Sequence, residues 1–210
     1  MARFTLHHGD CLEVLKTMPS DSVHSVVTDP PYGLSFMGKK WDYDVPSTEI
    51  WAECLRVLKP GGYLLAFAGT RTQHRMAVRI EDAGFEIRDM LAWMYGSGFP
   101  KSHNLDGEHQ GWGTALKPAM EPITMARKPF KGTVAENVHA YGTGALNIDG
   151  TRITYIENVN FNAVHKPNKS TFSHNSSDWT TTLYKSSGRW PANVMHDGSA
   201  EIIQIGRAHV

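Results

Sequence analysis

Four consecutive residues, Asp29-Pro30-Pro31-Tyr32, carry the chemistry this sequence offers most directly. A residue before a proline is pushed toward extended backbone. Each proline has a fixed φ and no backbone N–H. The stretch is therefore a stiff loop with acceptors and almost no donors. Such a loop suits an exocyclic amine on a nucleobase. That nitrogen is a poor nucleophile because its lone pair is delocalised into the ring. It becomes nucleophilic when both N–H bonds point at acceptors and it moves toward tetrahedral geometry. The Asp29 carboxylate can take one N–H, the Pro30 carbonyl the other, and Tyr32 can stack on the base. Preorganised groups of this kind stabilise the charge that develops in the transition state. A base inside a duplex cannot reach them, so it must be flipped out.

The elements around the loop say how it is held. The run Val23-His24-Ser25-Val26-Val27-Thr28 lies between Pro19-Ser20-Asp21-Ser22 and the prolines, and reads as a buried strand. Open α/β sheets bind ligands at the carboxyl ends of their strands, which is where the loop falls. Upstream, Phe4-Thr5-Leu6 reads as a short strand. Asp10 can cap a helix whose buried face is Leu12, Leu15 and Met18, with Glu13 completing a capping-box pattern. Downstream, Gly33 to Asp42 carries two glycines, two lysines and two aromatics. It suits a flap over nucleic acid, or an ordinary loop with Phe36 and Trp41 tucked inward.

A helix is expected over 48–58, with Trp51, Cys54, Leu55 and Leu58 on one face and Lys59-Pro60-Gly61-Gly62 as its stop. Residues 63–68 form a continuous apolar run, as in a strand covered on both faces. A helix over 72–83 uses Met76, Val78 and Ile80 as its apolar positions. Strands follow over 87–95 and 121–128. Strand, helix, strand, helix, strand is the doubly wound α/β pattern. After Phe130 the periodicity fades.

Asp-Pro-Pro-Tyr after a short strand resembles the catalytic motif of the S-adenosylmethionine-dependent amino-methyltransferases of DNA. Gly9-Asp10-Cys11-Leu12 through Tyr32-Gly33 is similar to the start of their permuted group, in which the catalytic motif comes first and the cofactor's Gly-rich motif last. Lys117-Pro118-Ala119-Met120-Glu121-Pro122, Ala126-Arg127-Lys128-Pro129, Gly142 to Gly150 and Gly188 to Asn193 resemble the same family, particularly its phage and bacterial members. The resemblance implies a Rossmann-like α/β methyltransferase sheet, circularly permuted, with an inserted loop-rich recognition region. It implies S-adenosyl-L-methionine as cofactor, with Asp10 as a contact to its adenine part, a role that competes with the cap. It implies Asp29, Pro30, Pro31 and Tyr32 as the catalytic residues and double-stranded DNA as substrate. It also implies an antiparallel pair formed by the last two strands. Aspartate at position 29 favours adenine N6 over cytosine N4, for which the family tends to use serine. An RNA or protein-glutamine methyltransferase and a non-catalytic DNA-binding remnant are the other readings. A second copy or a cognate restriction enzyme are further candidate partners.

The family's Phe-x-Gly-x-Gly turn is not in the sequence. Phe67-Ala68-Gly69-Thr70-Arg71 has its first half, and Gly96-Ser97-Gly98 and Gly142-Thr143-Gly144 lack the preceding Phe. Ile205-Gly206-Arg207-Ala208-His209-Val210 resembles the in-frame translation of a sequencing-library adaptor, so a truncated reading frame is expected. The expected divisions are catalytic residues 1–129, a recognition region over 130–204 and a tail over 205–210. Two central strands would then be missing, the strand before Asp29 would lie at an edge, and the chain alone would be poorly soluble and inactive.

Composition bounds the rest. With 210 residues, 40% apolar and 20% charged, the chain is globular. Its formal net charge is zero, which does not exclude nucleic acid, because a basic face matters more than the total. Residues 158–190 carry Lys166, Lys169, Lys185 and Arg189 against Asp178, with Phe161, Phe172, Trp179 and Tyr184 among them. These cations are candidate DNA contacts, and a solvated polar loop is the alternative. Phe99 and Lys101, in the loop after the strand over 87–95, are candidates for covering the base and holding a phosphate. Cys11 and Cys54 fall in apolar helical patterns and read as core thiols, with no disulfide framework or zinc site suggested. There is no signal peptide and no long apolar run, so a cytoplasmic location is expected.

Overall fold

A computed structural model describes residues 4–35, 38–100, 102–152, 190–200 and 202. The chain divides into two units, Met1–Ala145 with Asn193–Val210, and Leu146–Ala192. The first unit contains a five-stranded sheet. In chain order its strands are β1 (Val23–Thr28), β2 (Leu58–Phe67), β3 (Glu86–Met94), β4 (Met120–Arg127) and β5 (Val194–His196), arranged β1-β2-β4-β3-β5. The β1–β2 and β3–β5 pairs are parallel, and β4 runs antiparallel to both of its neighbours. The helices are α1 (Cys11–Thr17), α2 (Thr48–Val57), α3 (Gln73–Asp82) and α4 (Val134–Tyr141). None of the described helices is long and apolar enough to cross a membrane.

The core lies between α2, α3 and one face of the sheet. Trp51 and Cys54 of α2 and Met76 and Ile80 of α3 meet Leu58, Leu64 and Ala66 of β2 and Ala126 of β4. Burial pushes the Cys54 thiol up to about 11. The run over 63–68 is covered on one face only. Leu64, Ala66 and Ala68 are fully buried, while Tyr63, Leu65 and Phe67 are half-buried. Val78, expected on the buried face of α3, is exposed.

Three further readings of the sequence need correction. Phe4 and Leu6 are highly exposed and form no strand. Cys11 is exposed rather than in the core, because α1 has no fully buried residue and leans on the core through Leu15. Asp10 caps α1 as expected, its Oδ1 accepting from Leu12 and Glu13 N–H at 2.9 and 3.4 Å, but Glu13 pairs with Lys16 at 3.0 Å instead of closing a capping box. The β3–β4 antiparallel pair is as expected, and β1 lies at the edge of the sheet with no described strand on its outer side.

The stretch after Phe130 also joins the sheet. Thr133 and Glu136 form a reciprocal capping box that starts α4, and Gly142 ends it at φ 72°. The Gly-Thr-Gly at 142–144 is thus a helix stop that ties into β2. The Asn137 side chain is 3% exposed, and its Nδ2 donates to the Pro60 and Thr143 carbonyls at 2.9 and 2.8 Å. Thr143 Oγ1 also donates to the Pro60 carbonyl, at 2.5 Å. Lys59-Pro60-Gly61-Gly62, expected to be only a helix stop, is a bulge inside β2. The register jumps there, so that Val23 faces Leu58 but Ser25 faces Tyr63. Gly61 has φ 76°, and a Cβ on it would lie 2.5 Å from Asn137 Nδ2. Asn137→Ala should strip the donor from buried carbonyls and destabilise the fold by about 1–3 kcal/mol, read as a lower midpoint in urea unfolding.

Candidate active site

The Asp29–Tyr32 loop leaves β1 where that strand pairs with β2, Thr28 lying opposite Ala66. Asp29 is exposed and Pro30, Pro31 and Tyr32 are half-buried. No described donor reaches the Pro30 carbonyl. Burial first, and the neighbouring Asp29 carboxylate second, push the Tyr32 hydroxyl well above its usual range, so it stays protonated. A carboxylate can accept several hydrogen bonds, so Asp29 can take an N–H.

The loop's conformation is set from behind by a residue the sequence reading overlooked. Asp42 is 3% exposed. Its Oδ1 accepts from the N–H groups of Tyr32 and Gly33 at 2.8 and 2.9 Å, and its Oδ2 from Leu34 at 3.2 Å. Its own carbonyl accepts from Ser35 N–H at 2.7 Å. Gly33, at φ 68°, packs so closely that a Cβ would lie 2.9 Å from the Val45 nitrogen. The far end of this bracket is anchored by α3. Arg79 holds the Asp44 carboxylate at 2.6 Å and donates to the carbonyls of Val45 and Pro46, and Val45 is buried in the core. Arg79 accordingly keeps the Asp44 carboxyl below its usual range. Beneath the loop, Gly69 at the end of β2 leaves room for Tyr32 and Leu34, whose side chains lie 3.4 and 3.1 Å from where its Cβ would be.

Two more residues converge from the other strand ends. Tyr95 follows β3 and Glu121 lies near the start of β4, with Tyr95 N–H donating to the Ala119 carbonyl at 3.1 Å. Burial first, then the negative charge of Asp29, raises the Glu121 carboxyl above its usual range, against the opposing effect of the nearby Tyr95 hydroxyl. Burial and Glu121 push the Tyr95 hydroxyl up in turn. The site thus holds two carboxylates and two phenols at the ends of β1, β3 and β4. The one signal in the sequence for Tyr95 and Glu121 was their place at expected strand ends.

Of the other expected site residues, Asp10 is occupied as the α1 cap through Oδ1, which leaves Oδ2 without a partner among the described residues. Phe99 is 83% exposed, on the loop after β3, with β2 and β4 between that strand and β1. That loop is braced by Lys117 Nζ, which donates to the Gly96 carbonyl, and by the close passage of Gly98 past the Pro118 carbonyl. Lys101, Lys166, Lys169, Lys185 and Arg189 lie outside the described residues, as does Phe36. Trp41 is 63% exposed rather than tucked inward.

Two measurements check this geometry. Asp42→Ala leaves three half-buried N–H groups without their acceptor and should cost about 1–3 kcal/mol in denaturant unfolding. Asp42→Asn should recover part of that, since its oxygen can still accept from Tyr32 and Gly33. Glu121 has a raised carboxyl in the folded state, so the native protein binds more protons than the unfolded chain in the window between the two values. Stability should therefore fall as pH rises from the ordinary carboxylate range, about 4.3, to the raised folded value. Glu121→Gln should remove that fall, so the variant's urea midpoint should gain on the parent's across the window.

Comparison with known proteins adds an independent finding. A family model described as DNA methylase, of the N6/N4 type, matches residues 23–202. The type II methyltransferase M.HindIII of Haemophilus influenzae is 25% identical over 200 residues, covering 68% of this chain and 64% of that protein. The DNA adenine methyltransferase YhdJ of Escherichia coli is 34% identical over 100 residues, covering 44% of this chain and 34% of that protein. The chain thus spans less than two thirds of the length of these relatives. Among solved structures, a DNA modification methylase of Thermus thermophilus aligns with 29% identity and a TM-score of 0.43, over 60% of this chain and 54% of that one.

Proposed function

Because the chain belongs to the N6/N4 family of S-adenosylmethionine-dependent DNA methyltransferases, we propose that the protein methylates the N6 amine of an adenine flipped out of double-stranded DNA. The observation that carries this is the loop itself: a carboxylate, Asp29, next to a proline carbonyl that no described donor occupies, at the carboxyl end of β1. The adenine amine carries two N–H bonds, and the loop offers these two acceptors. Aspartate rather than serine at position 29 and the similarity to an adenine methyltransferase support adenine over cytosine.

In this reading Asp29 and the Pro30 carbonyl each accept one N–H. They draw the nitrogen out of conjugation and stabilise its developing positive charge. The second carboxylate, Glu121, adds to the same field when ionised. Tyr32 supplies the stacking face for the base, held in place by the Asp42 bracket, and Phe99 is exposed to cover the base further. S-adenosylmethionine supplies the methyl group on an electron-poor sulfur. On this chain Asp10 fits one part of it, since Oδ2 is available at the start of α1, whereas the family's Gly-rich turn is not in this sequence. Lys101, Lys166, Lys169, Lys185 and Arg189 remain the proposed DNA contacts.

The test is methyl transfer by the full gene product to unmethylated DNA, followed by mass analysis of the nucleosides. N6-methyladenine is the expected product, and N4-methylcytosine alone would move the assignment to the other base. Asp29→Ala should slow transfer by about 10²–10³-fold, the usual effect of removing one preorganised electrostatic group. A rate near the parent's would overturn the mechanism.

A further inference from the structure

We propose that Arg71 and Arg75 form a phosphate-binding recess that holds the DNA backbone beside the flipped nucleotide. The proposal rests on the reading of the protein as a DNA methyltransferase and names a contact of that same site. The recess has a volume of about 290 Å³ and is lined by Gly33, Leu34, Ser35, Arg71, Thr72 and Arg75. Its first three residues continue directly from Tyr32. Whatever the recess holds therefore lies next to the base-binding loop. The other three sit at the start of α3.

The two arginines differ from every other described arginine. Arg56, Arg79, Arg88, Arg127 and Arg152 each have a carboxylate within 4 Å, whereas the side chains of Arg71 and Arg75 appear in none of the ion pairs or hydrogen bonds found among the described residues. No carboxylate lines the recess. Arg75 lies within the electrostatic reach of Asp44, but that carboxylate is already engaged by Arg79 at 2.6 Å. Both arginines are exposed and both line the recess, Arg71 from the turn just before α3 and Arg75 from its first turn. Thr72 is buried between them, its hydroxyl turned to the Gly69 carbonyl at 3.5 Å. Two guanidinium groups without a carboxylate partner among the described residues, facing a polar recess, fit an oxyanion with more than one oxygen to offer, because the fork geometry matches it bidentately. A phosphate of the DNA strand meets that need. The recess is open to solvent, so a continuous backbone can lie across it. Phosphate contacts of this kind set register and carry no sequence information. This agrees with a position against the catalytic loop.

The experiment uses the whole chain and a fluorescently labelled duplex of mixed sequence, with affinity measured across a salt series. Arg71→Ala and Arg75→Ala should each weaken binding by about tenfold. Each should also lower the slope of log affinity against log salt by about 0.9, as for one phosphate contact. Both residues are exposed, so the variants should unfold at the parent's midpoint. Arg88→Ala removes the same charge from β3 and should leave the slope unchanged. Unchanged slopes in both recess variants would overturn the proposal, and so would an equal loss in Arg88→Ala. Loss of S-adenosylmethionine affinity with an unchanged DNA slope would assign the recess to the cofactor's carboxylate and also overturn it. A parent chain with no affinity for DNA would fail at the functional reading instead, which the variants alone cannot mimic.

Discussion

One buried carboxylate decides the shape of this site. Pro30 and Pro31 cannot donate, so the first N–H groups after them, on Tyr32, Gly33 and Leu34, carry much of the loop's attachment through the backbone. All three converge on Asp42. A neutral acceptor would give weaker bonds than a carboxylate, since charge-assisted hydrogen bonds are roughly twice as strong. The bracket from Asp42 to Pro46 is in turn fixed by Arg79 and by the burial of Val45. Its stiffness therefore comes from α3 and the core rather than from the loop. This division leaves the other side of the loop, Asp29 and the Pro30 carbonyl, free to face a ligand.

The sheet contributes by bringing distant residues to one end. β1 and β2 run parallel and β4 runs back against β2 and β3, so the ends of β1, β2 and β3 meet the beginning of β4. Asp29, Gly69, Tyr95 and Glu121 are thereby neighbours in the fold while spread over more than ninety positions of the chain. Within that cluster the groups restrain one another. Each phenol lies beside a carboxylate that raises it, and the charge of Asp29 opposes ionisation of Glu121. A site that gathers two carboxylates is suited to chemistry at a nitrogen that becomes positive. Arg71 and Arg75 line a recess with Gly33, Leu34 and Ser35, which continue that loop.

Residues 130–145 show how local reading fails where packing decides. Periodicity fades there because α4 is short and its one fully buried residue, Asn137, is polar. Its value lies in two carbonyls, one of them on a bulge seventy-seven positions earlier. Nothing in a hydrophobic pattern could announce that. The capping box of Thr133 and Glu136 and the glycine at 142 are local signals, and they were present in the sequence all along. Phe4-Thr5-Leu6 failed in the other direction. It has strand-like residues but no neighbour to pair with among the described residues, and a strand without a ladder leaves its backbone groups to water.

From its sequence alone this protein's α/β character, most of its helices and strands, and the acceptor loop at Asp29 were determined. Each follows from local physics: apolar period, the fixed φ of proline, the loss of its N–H, and the chemistry of a carboxylate beside a carbonyl. The tertiary structure alone decided which polar residues serve that loop. Asp42, Glu121, Tyr95, Arg71 and Arg75 are ordinary polar residues in one dimension. Their roles arise from what lies across from them: three N–H groups with no other acceptor, a second carboxylate, or the absence of one. Hydrogen bonds and charge pairs between distant positions leave no periodicity in the chain, so only the folded arrangement can assign them.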